Sequence, residues 1–251
     1  MKGWLELNLR ILYWIFIAPL RGQRWSLDQT ARQMVLIGVR ALPMASLTAF
    51  SIGLTLAMQS AVELRKLGAS SYIPDLVSVS LLRELGPLLI TVIVIGRSGS
   101  AVTAELGTMK VGEEIEALEV MAINPIRFLV VPRFLAMMVM LPALTVFGDY
   151  IGMVGGWSVC KFALHFDTGE FIVRAMTRGQ PWDFISGLIK SVVFAWLIIT
   201  VACYKGLAVE GGAEGVGQAT TESVVWSLLL MLIANALLTG VFFFAAAGPS
   251  L

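Results

Sequence analysis

Long apolar runs alternate with short polar connections along this chain, and the runs set its elements. Five of them, at roughly 41 to 62, 76 to 96, 134 to 160, 184 to 204 and 223 to 247, reach the roughly 20 residues that a helix needs to cross a bilayer. Upstream, Leu5, Leu9, Leu12 and Phe16 recur at helical spacing. The segment from Trp4 to Leu20 is short, however, and stands beside Arg21, Arg24 and Arg32, which predicts an interfacial helix lying on the membrane in place of a sixth span. The run Ile11 to Leu20 behind Lys2 and Arg10 has the outline of a signal-peptide core, but no small-residue cleavage site follows it, so the segment is expected to be retained. The expected fold class is an all-α integral membrane protein. It has an N-terminal interfacial helix region over 1–35, a five-helix transmembrane bundle over 41–247, and a single domain over 1–251. No internal repeat, low-complexity tract or linker divides it.

Composition supports this and places the charges. With 57% hydrophobic and 14% charged residues and a mean hydropathy of +0.83, the chain carries more apolar surface than a soluble domain of this length could hide. The formal charge of +1 gives no global field to recruit nucleic acid. Lys2, Arg10, Arg21, Arg24, Arg32, Arg40, Arg97, Lys110, Arg127, Arg133 and Lys205 fall on one side of the spans. Only Arg65, Lys66, Lys161, Arg174 and Arg178 fall on the other. By the positive-inside rule the N-terminus and the 97 to 133 connection are expected to be cytoplasmic and the C-terminus external. Cys160 and Cys203 sit near opposite ends of two different spans, too far apart for a disulfide.

The 97 to 133 connection is the most informative polar segment. Val111 to Ala122 reads as one short amphipathic helix with Val111, Ile115, Leu118 and Ala122 on one face. Glu113, Glu114, Glu116 and Glu119 occupy most of the remainder, and Asn124 and Pro125 are expected to end it. Acids without an accompanying Lys or Arg are repelled by an anionic leaflet. They suit a basic groove on a partner protein, or else a solvated cap on the bundle.

Arg83, Glu84 and Lys190 lie at membrane depth, where ionisable groups are costly and are paired or face a cavity. They are expected either to form a polar cluster on a substrate path or, with Lys190 and Arg83 snorkelling to the interface, to have Glu84 neutralise one of the two cations. Gly86 and Pro87 directly after Glu84 predict a break in the second span. Leu56, Ser60, Leu64 and Leu67 make a stripe that could line a path for acyl chains or could be ordinary helix packing.

Other motifs fail on their chemistry. Gly96-Arg97-Ser98-Gly99 has the form of an intramembrane serine protease motif, but the single histidine, His165, is expected on the opposite side of the membrane from Ser98. Asp149 lacks a second intramembrane aspartate and reads as a buried partner for Lys190. No G-x-x-x-x-G-K-[ST] loop for nucleotide phosphate occurs, and no Cys/His cluster suggests a metal. A nucleotide-independent channel or scaffold is the alternative from a different class.

The run Leu82-Arg83-Glu84-Leu85-Gly86-Pro87, then Gly96 to Ala101, Ala104-Glu105-Leu106-Gly107, Glu116 to Met121, Asn124-Pro125 and Val131-Pro132-Arg133 strongly resembles the MlaE family of ABC permeases. Leu141-Pro142, Gly155-Gly156, Leu188 to Ser191 and Gly217 to Thr221 extend the likeness. The resemblance implies a homodimeric permease of the bacterial inner membrane with a periplasmic C-terminus. It also implies two cytoplasmic ATPase subunits that bind ATP and Mg, a hexameric periplasmic MCE protein, in some complexes a STAS-domain subunit, and phospholipid as substrate. Within it Glu113, Glu114, Ile115, Leu118, Glu119 and Met121 look like the coupling helix that docks on the ATPase. Arg83, Glu84 and Lys190 match charged positions of the lipid cavity. Asn235 stands where some relatives carry an acid in the last span.

Overall fold

The computed structural model describes residues 2–18, 26–178 and 181–247. Arg21 and Arg24, both counted in the expected charge bias, lie outside the described residues. The described residues are 91% helical and hold no strand. The helices are α1 (Lys2–Leu12), α2 (Leu27–Ile37), α3 (Leu42–Lys66), α4 (Ile73–Ser80), α5 (Gly86–Val94), α6 (Ser100–Val111), α7 (Glu114–Val120), α8 (Val131–Phe162), α9 (Thr168–Arg178), α10 (Pro181–Leu207) and α11 (Gly212–Ala247). Five continuous helical stretches are long and apolar enough to cross a membrane: Leu27–Lys66, Ser70–Val111, Ile126–Phe162, Pro181–Leu207 and Gly212–Phe244. The chain is a multi-pass, all-α membrane protein.

Each span begins or ends beyond its apolar run, because helical backbone continues into polar residues once its ladder is established. The interval expected to be one interfacial region, 1–35, holds two separate helices. Ser26 caps the second, its hydroxyl accepting from the Gln29 amide at 3.3 Å. That second helix, α2, runs through a 3₁₀ turn at Val39–Ala41 into α3 and so belongs to the first span.

Two compact units divide the chain, and all five spans supply a stretch to each. One comprises Met1–Ala41, Val92–Met140 and Val193–Thr239. Its core holds Ile95, Leu106, Met137, Phe194 and Ile198. Helix α1 and the π-turn Tyr13–Ile17 that continues it turn Leu7, Ile11 and Ile15 inward and leave Leu5, Leu9 and Phe16 exposed, while Leu12 is half-buried. It is pinned by the Trp196 indole donating to Asn8 Oδ1 at 2.9 Å, and Arg127 lies over the Trp14 ring. Polar contacts tie the longer helices together. Thr103 Oγ1 reaches Ser223 Oγ at 2.9 Å, buried Arg133 pairs with Glu105 at 2.9 Å, and Lys205 pairs with Glu222 at 2.6 Å.

The other unit comprises Leu42–Thr91, Leu141–Val192 and Gly240–Leu251. Here α3 and α8 approach closely enough that a Cβ on Gly53 would stand 1.8 Å from the Gly152 carbonyl oxygen, and one on Gly155 would stand 2.3 Å from that of Phe50. Small residues at such contacts let helix backbones approach, which is how helices gain contact where lipid offers no hydrophobic drive. Cys160, in this unit, and Cys203, in the other, are both buried and free.

Candidate functional site

The second span is not broken at Gly86-Pro87. A π-turn over Leu81–Leu85 absorbs the proline, with the Gly86 amide donating five residues back to the Leu81 carbonyl. A proline at 87 has no N–H for the carbonyl of Arg83, four residues earlier. That acceptor is filled from another helix: Lys190 Nζ donates to Arg83 O at 3.2 Å. The same ammonium pairs with Glu84 Oε1. Arg83 turns the other way and makes a two-pronged contact with Asp183 Oδ1, at 3.0 Å from Nε and 2.8 Å from Nη2. Two adjacent residues of one helix thus grip two residues lying two turns apart on α10.

Lys190 is fully buried at 0% exposure, whereas Arg83 is exposed. The charge balance in this cluster is therefore internal, two cations against two acids. The expected Asp149–Lys190 pair does not form. Asp149 is buried, and its Oδ1 stands 1.7 Å from where a Cβ on Gly86 would be, without a hydrogen-bond partner. Glu84 occupies Lys190 because the π-turn rotates it toward α10. Sequence reasoning missed Asp183, although Asp183, Ser186 and Lys190 recur at one-face helical spacing.

The stripe on α3 faces its own unit. Leu56 and Leu64 pack against the cluster of Ala57, Ala61, Val77 and Leu81, and Ser60 is buried. Leu67 lies beyond the end of α3 and is 77% exposed. The small residues Ala57 and Ala61 admit those neighbours on that face. Asn235 lies half-buried on α11 in the unit that holds none of the other cavity residues.

The acidic segment is shorter than its pattern predicts. Helix α6 continues to Val111, and the chain then turns at Gly112 and at Glu113, whose φ of 58° is left-handed. Helix α7 follows over seven residues and ends before Ala122, again left-handed at φ 57°. Val111 and Ala122 therefore lie outside it. Asn124 and Pro125 do not stop α7; they start the third span. The Asn124 carboxamide oxygen accepts from the Ile126 amide at 3.0 Å and from that of Arg127 at 3.3 Å, with Pro125 at the first helical position.

Ile115 is buried and anchors α7, and Leu118 is half-buried. Glu113, Glu114, Glu119 and Met121 are exposed, together with Val120 at 88%. Lys110, from the preceding helix, pairs with Glu116. Its ammonium holds the Glu116 carboxyl below the ordinary glutamate range. The acids thus include one neutralised within the chain, and the rest face outward beside an apolar knob.

Ser98, the serine of the protease-like motif, is buried, and its hydroxyl donates to the Ile37 carbonyl at 2.8 Å. Arg97 donates to the Leu36 carbonyl and to Ser98 Oγ, both at 3.3 Å. The motif is a clamp on carbonyls that α2 leaves open at its C-terminus, where the chain turns at Gly38.

Residues 30–241 match the family described as Permease MlaE. The chain belongs to the MlaE permease family. Individual relatives agree. A probable ABC transporter permease protein of Rickettsia prowazekii is 42% identical over 84% of this chain and 82% of its own length. The intermembrane phospholipid transport system permease protein MlaE of Haemophilus influenzae is 37% identical over 84% of this chain and 82% of its own. The chloroplastic protein TRIGALACTOSYLDIACYLGLYCEROL 1 of Arabidopsis thaliana is 36% identical over 88% of this chain and 63% of its own. The MlaE family match spans every residue of the Arg83–Asp183 and Glu84–Lys190 pairs and the whole of α7.

Proposed function

We propose that this chain is the membrane-spanning subunit of an ABC transporter that moves phospholipid between the inner and outer membranes of a bacterium. The observation that carries the reading is the family membership over 30–241, joined to relatives named as ABC transporter permeases and as a phospholipid transport permease. The chain itself has no phosphate-loop sequence, so ATP and Mg are assigned to a separate cytoplasmic ATPase.

In this reading two copies form the permease, two ATPase subunits sit below it, and a hexameric MCE protein continues the path on the periplasmic side. A STAS-domain subunit can accompany the ATPase. The N-terminus and α7 are cytoplasmic, and the C-terminus is periplasmic. Helix α7 is the coupling element. Ile115 anchors it, while Glu113, Glu114, Glu119, Val120 and Met121 are presented to a basic, apolar-lined groove. The left-handed turns at Glu113 and Ala122 set it off from the spans on both sides, so that motion of an ATPase is delivered as a rigid push. The Lys190–Glu84 and Arg83–Asp183 pairs join spans two and four and transmit that push. Nucleotide then drives transport only through contacts that differ between the two states of the ATPase.

The test is co-purification. The double variant Glu113→Lys with Glu114→Lys is expected to lose the ATPase while its spans still insert. Retained ATPase binding in that variant overturns the coupling assignment.

A further inference from the structure

A second polar site lies in the unit that holds α1 and α2. A cavity of about 190 Å³ opens between α2, the 3₁₀ turn after it and the start of α6. Arg40 and Arg97 both line it, with Gln33 and Ser98 as neutral polar neighbours. The acid on its wall, Glu105, is engaged by the buried guanidinium of Arg133 at 2.9 Å. Two cations therefore face the cavity against one acid that already has a counter-charge.

Arg97 is held in place. Its Nη1 is fixed by the Leu36 carbonyl and Ser98 Oγ. A guanidinium has five N–H donors, so a fixed orientation leaves others to reach an anion in the cavity. Planar, preoriented arginines of this kind bind phosphate oxygens in two-pronged fashion. The remaining wall is apolar, made by Leu36, Ile37 and Val102, and exposed Val35 and Val39 continue the apolar surface outside. A basic cavity bounded by apolar helix surface at the inner end of spans fits an amphiphile with an anionic head.

We infer that Arg40 and Arg97 form a binding site for the phosphate of an anionic phospholipid in the cytoplasmic leaflet, beside the mouth of the first and second spans. The inference rests on the proposed orientation, with this end of the spans inside. It concerns retention of a leaflet lipid by the permease itself, with no ATPase required. The shared chemistry is a phosphate ester or phosphate ion, and the apolar wall assigns the lipid as its source.

The experiment is native mass spectrometry of the full-length chain released from micelles doped with equal phosphatidylglycerol and phosphatidylethanolamine. Wild type is expected to retain phosphatidylglycerol preferentially, and Arg40→Gln is expected to reduce that retention about tenfold, the scale of one charge-assisted contact. Ala101→Trp, which fills the cavity from an exposed position on its wall, is expected to reduce it while leaving both arginines in place. Arg32→Gln removes a cation paired with Asp28 outside the cavity and is expected to leave retention unchanged.

Equal loss in Arg32→Gln and Arg40→Gln would assign the effect to diffuse surface charge and overturn the site. Unchanged retention in both Arg40→Gln and Ala101→Trp would overturn it as well. Thermal stabilisation by inorganic phosphate alone, without lipid preference, would overturn the lipid as ligand. Because no ATPase is present in the measurement, failure here leaves the permease reading intact. Loss of ATPase co-purification from wild type would sink that reading and leave lipid retention unaffected.

Discussion

Lys190 Nζ donates to the Arg83 carbonyl at 3.2 Å, filling the acceptor that Pro87 leaves without a donor. One buried ammonium therefore repairs the helix and neutralises Glu84. Removing one member of a buried pair leaves the other uncompensated, so Lys190→Met is expected to lower stability by about 3 kcal/mol. Adding Pro87→Ala should recover part of the loss, because position 87 then carries an amide for the Arg83 carbonyl. Unfolding of the purified variants in mixed micelles measures both. An additive pair of effects would show that the two residues do not share that acceptor.

Ser98→Ala removes the hydroxyl donor from the Ile37 carbonyl. A buried acceptor left unmatched costs about 1 to 3 kcal/mol, and the expected loss lies in that range. Ser98→Thr, which keeps the hydroxyl, should lose less. Equal stability of Ser98→Ala and wild type contradicts the clamp.

Gly53→Val should prevent assembly of the α3–α8 contact, since even its Cβ would stand 1.8 Å from the Gly152 carbonyl oxygen. Gly96→Ala meets no atom within 4 Å and should express and unfold like wild type. Comparing detergent-extracted yield and melting temperature of the two separates close helix approach from a general intolerance of substituted glycines.

Much of this was legible in the apolar runs. Bilayer thickness fixes span length, and five runs met it. Helix ends were less legible, because backbone ladders continue past the apolar residues that start them. The acidic helix was read as longer than it is: its pattern carried through Gly112 and Glu113, but the left-handed turn at Glu113 ended the continuity. Asn124-Pro125 can both stop one helix and start another, and only the geometry of its caps decides. The charged residues Arg83, Glu84 and Lys190 stood out for their cost at membrane depth. Which partner each takes did not, because the π-turn that aims them is a response to Pro87 and to packing across helices. Asp183 was hidden by its position at the start of α10, where an acid is commonplace.

The Lys110–Glu116 pair predicts a pH response of the acidic segment. The Glu116 carboxyl is held below its ordinary value of 4.5 in the folded protein. A depressed folded-state value means that the pair contributes above the ordinary glutamate range and is lost as pH falls through the lowered value. Once intrinsic exchange is divided out, amide protection over Glu114–Val120 should stay level from neutral pH down to that range and fall only beneath it. Lys110→Met should lower protection at neutral pH and flatten the fall, because a carboxyl with the same value folded and unfolded adds no pH dependence. A pH response identical to wild type in that variant rules the pair out as its cause.

If this chain converts nucleotide hydrolysis on a separate ATPase into phospholipid movement through α7, as proposed, that movement requires both ATP and the acids of α7. The direct measurement is transfer of labelled phospholipid from proteoliposomes holding this chain and its partner ATPase to acceptor vesicles carrying the MCE partner, with and without ATP. Transfer is expected to require ATP and to be abolished by Glu113→Lys with Glu114→Lys. Transfer that proceeds equally without ATP, or that persists at the wild-type rate in the double variant, would contradict it.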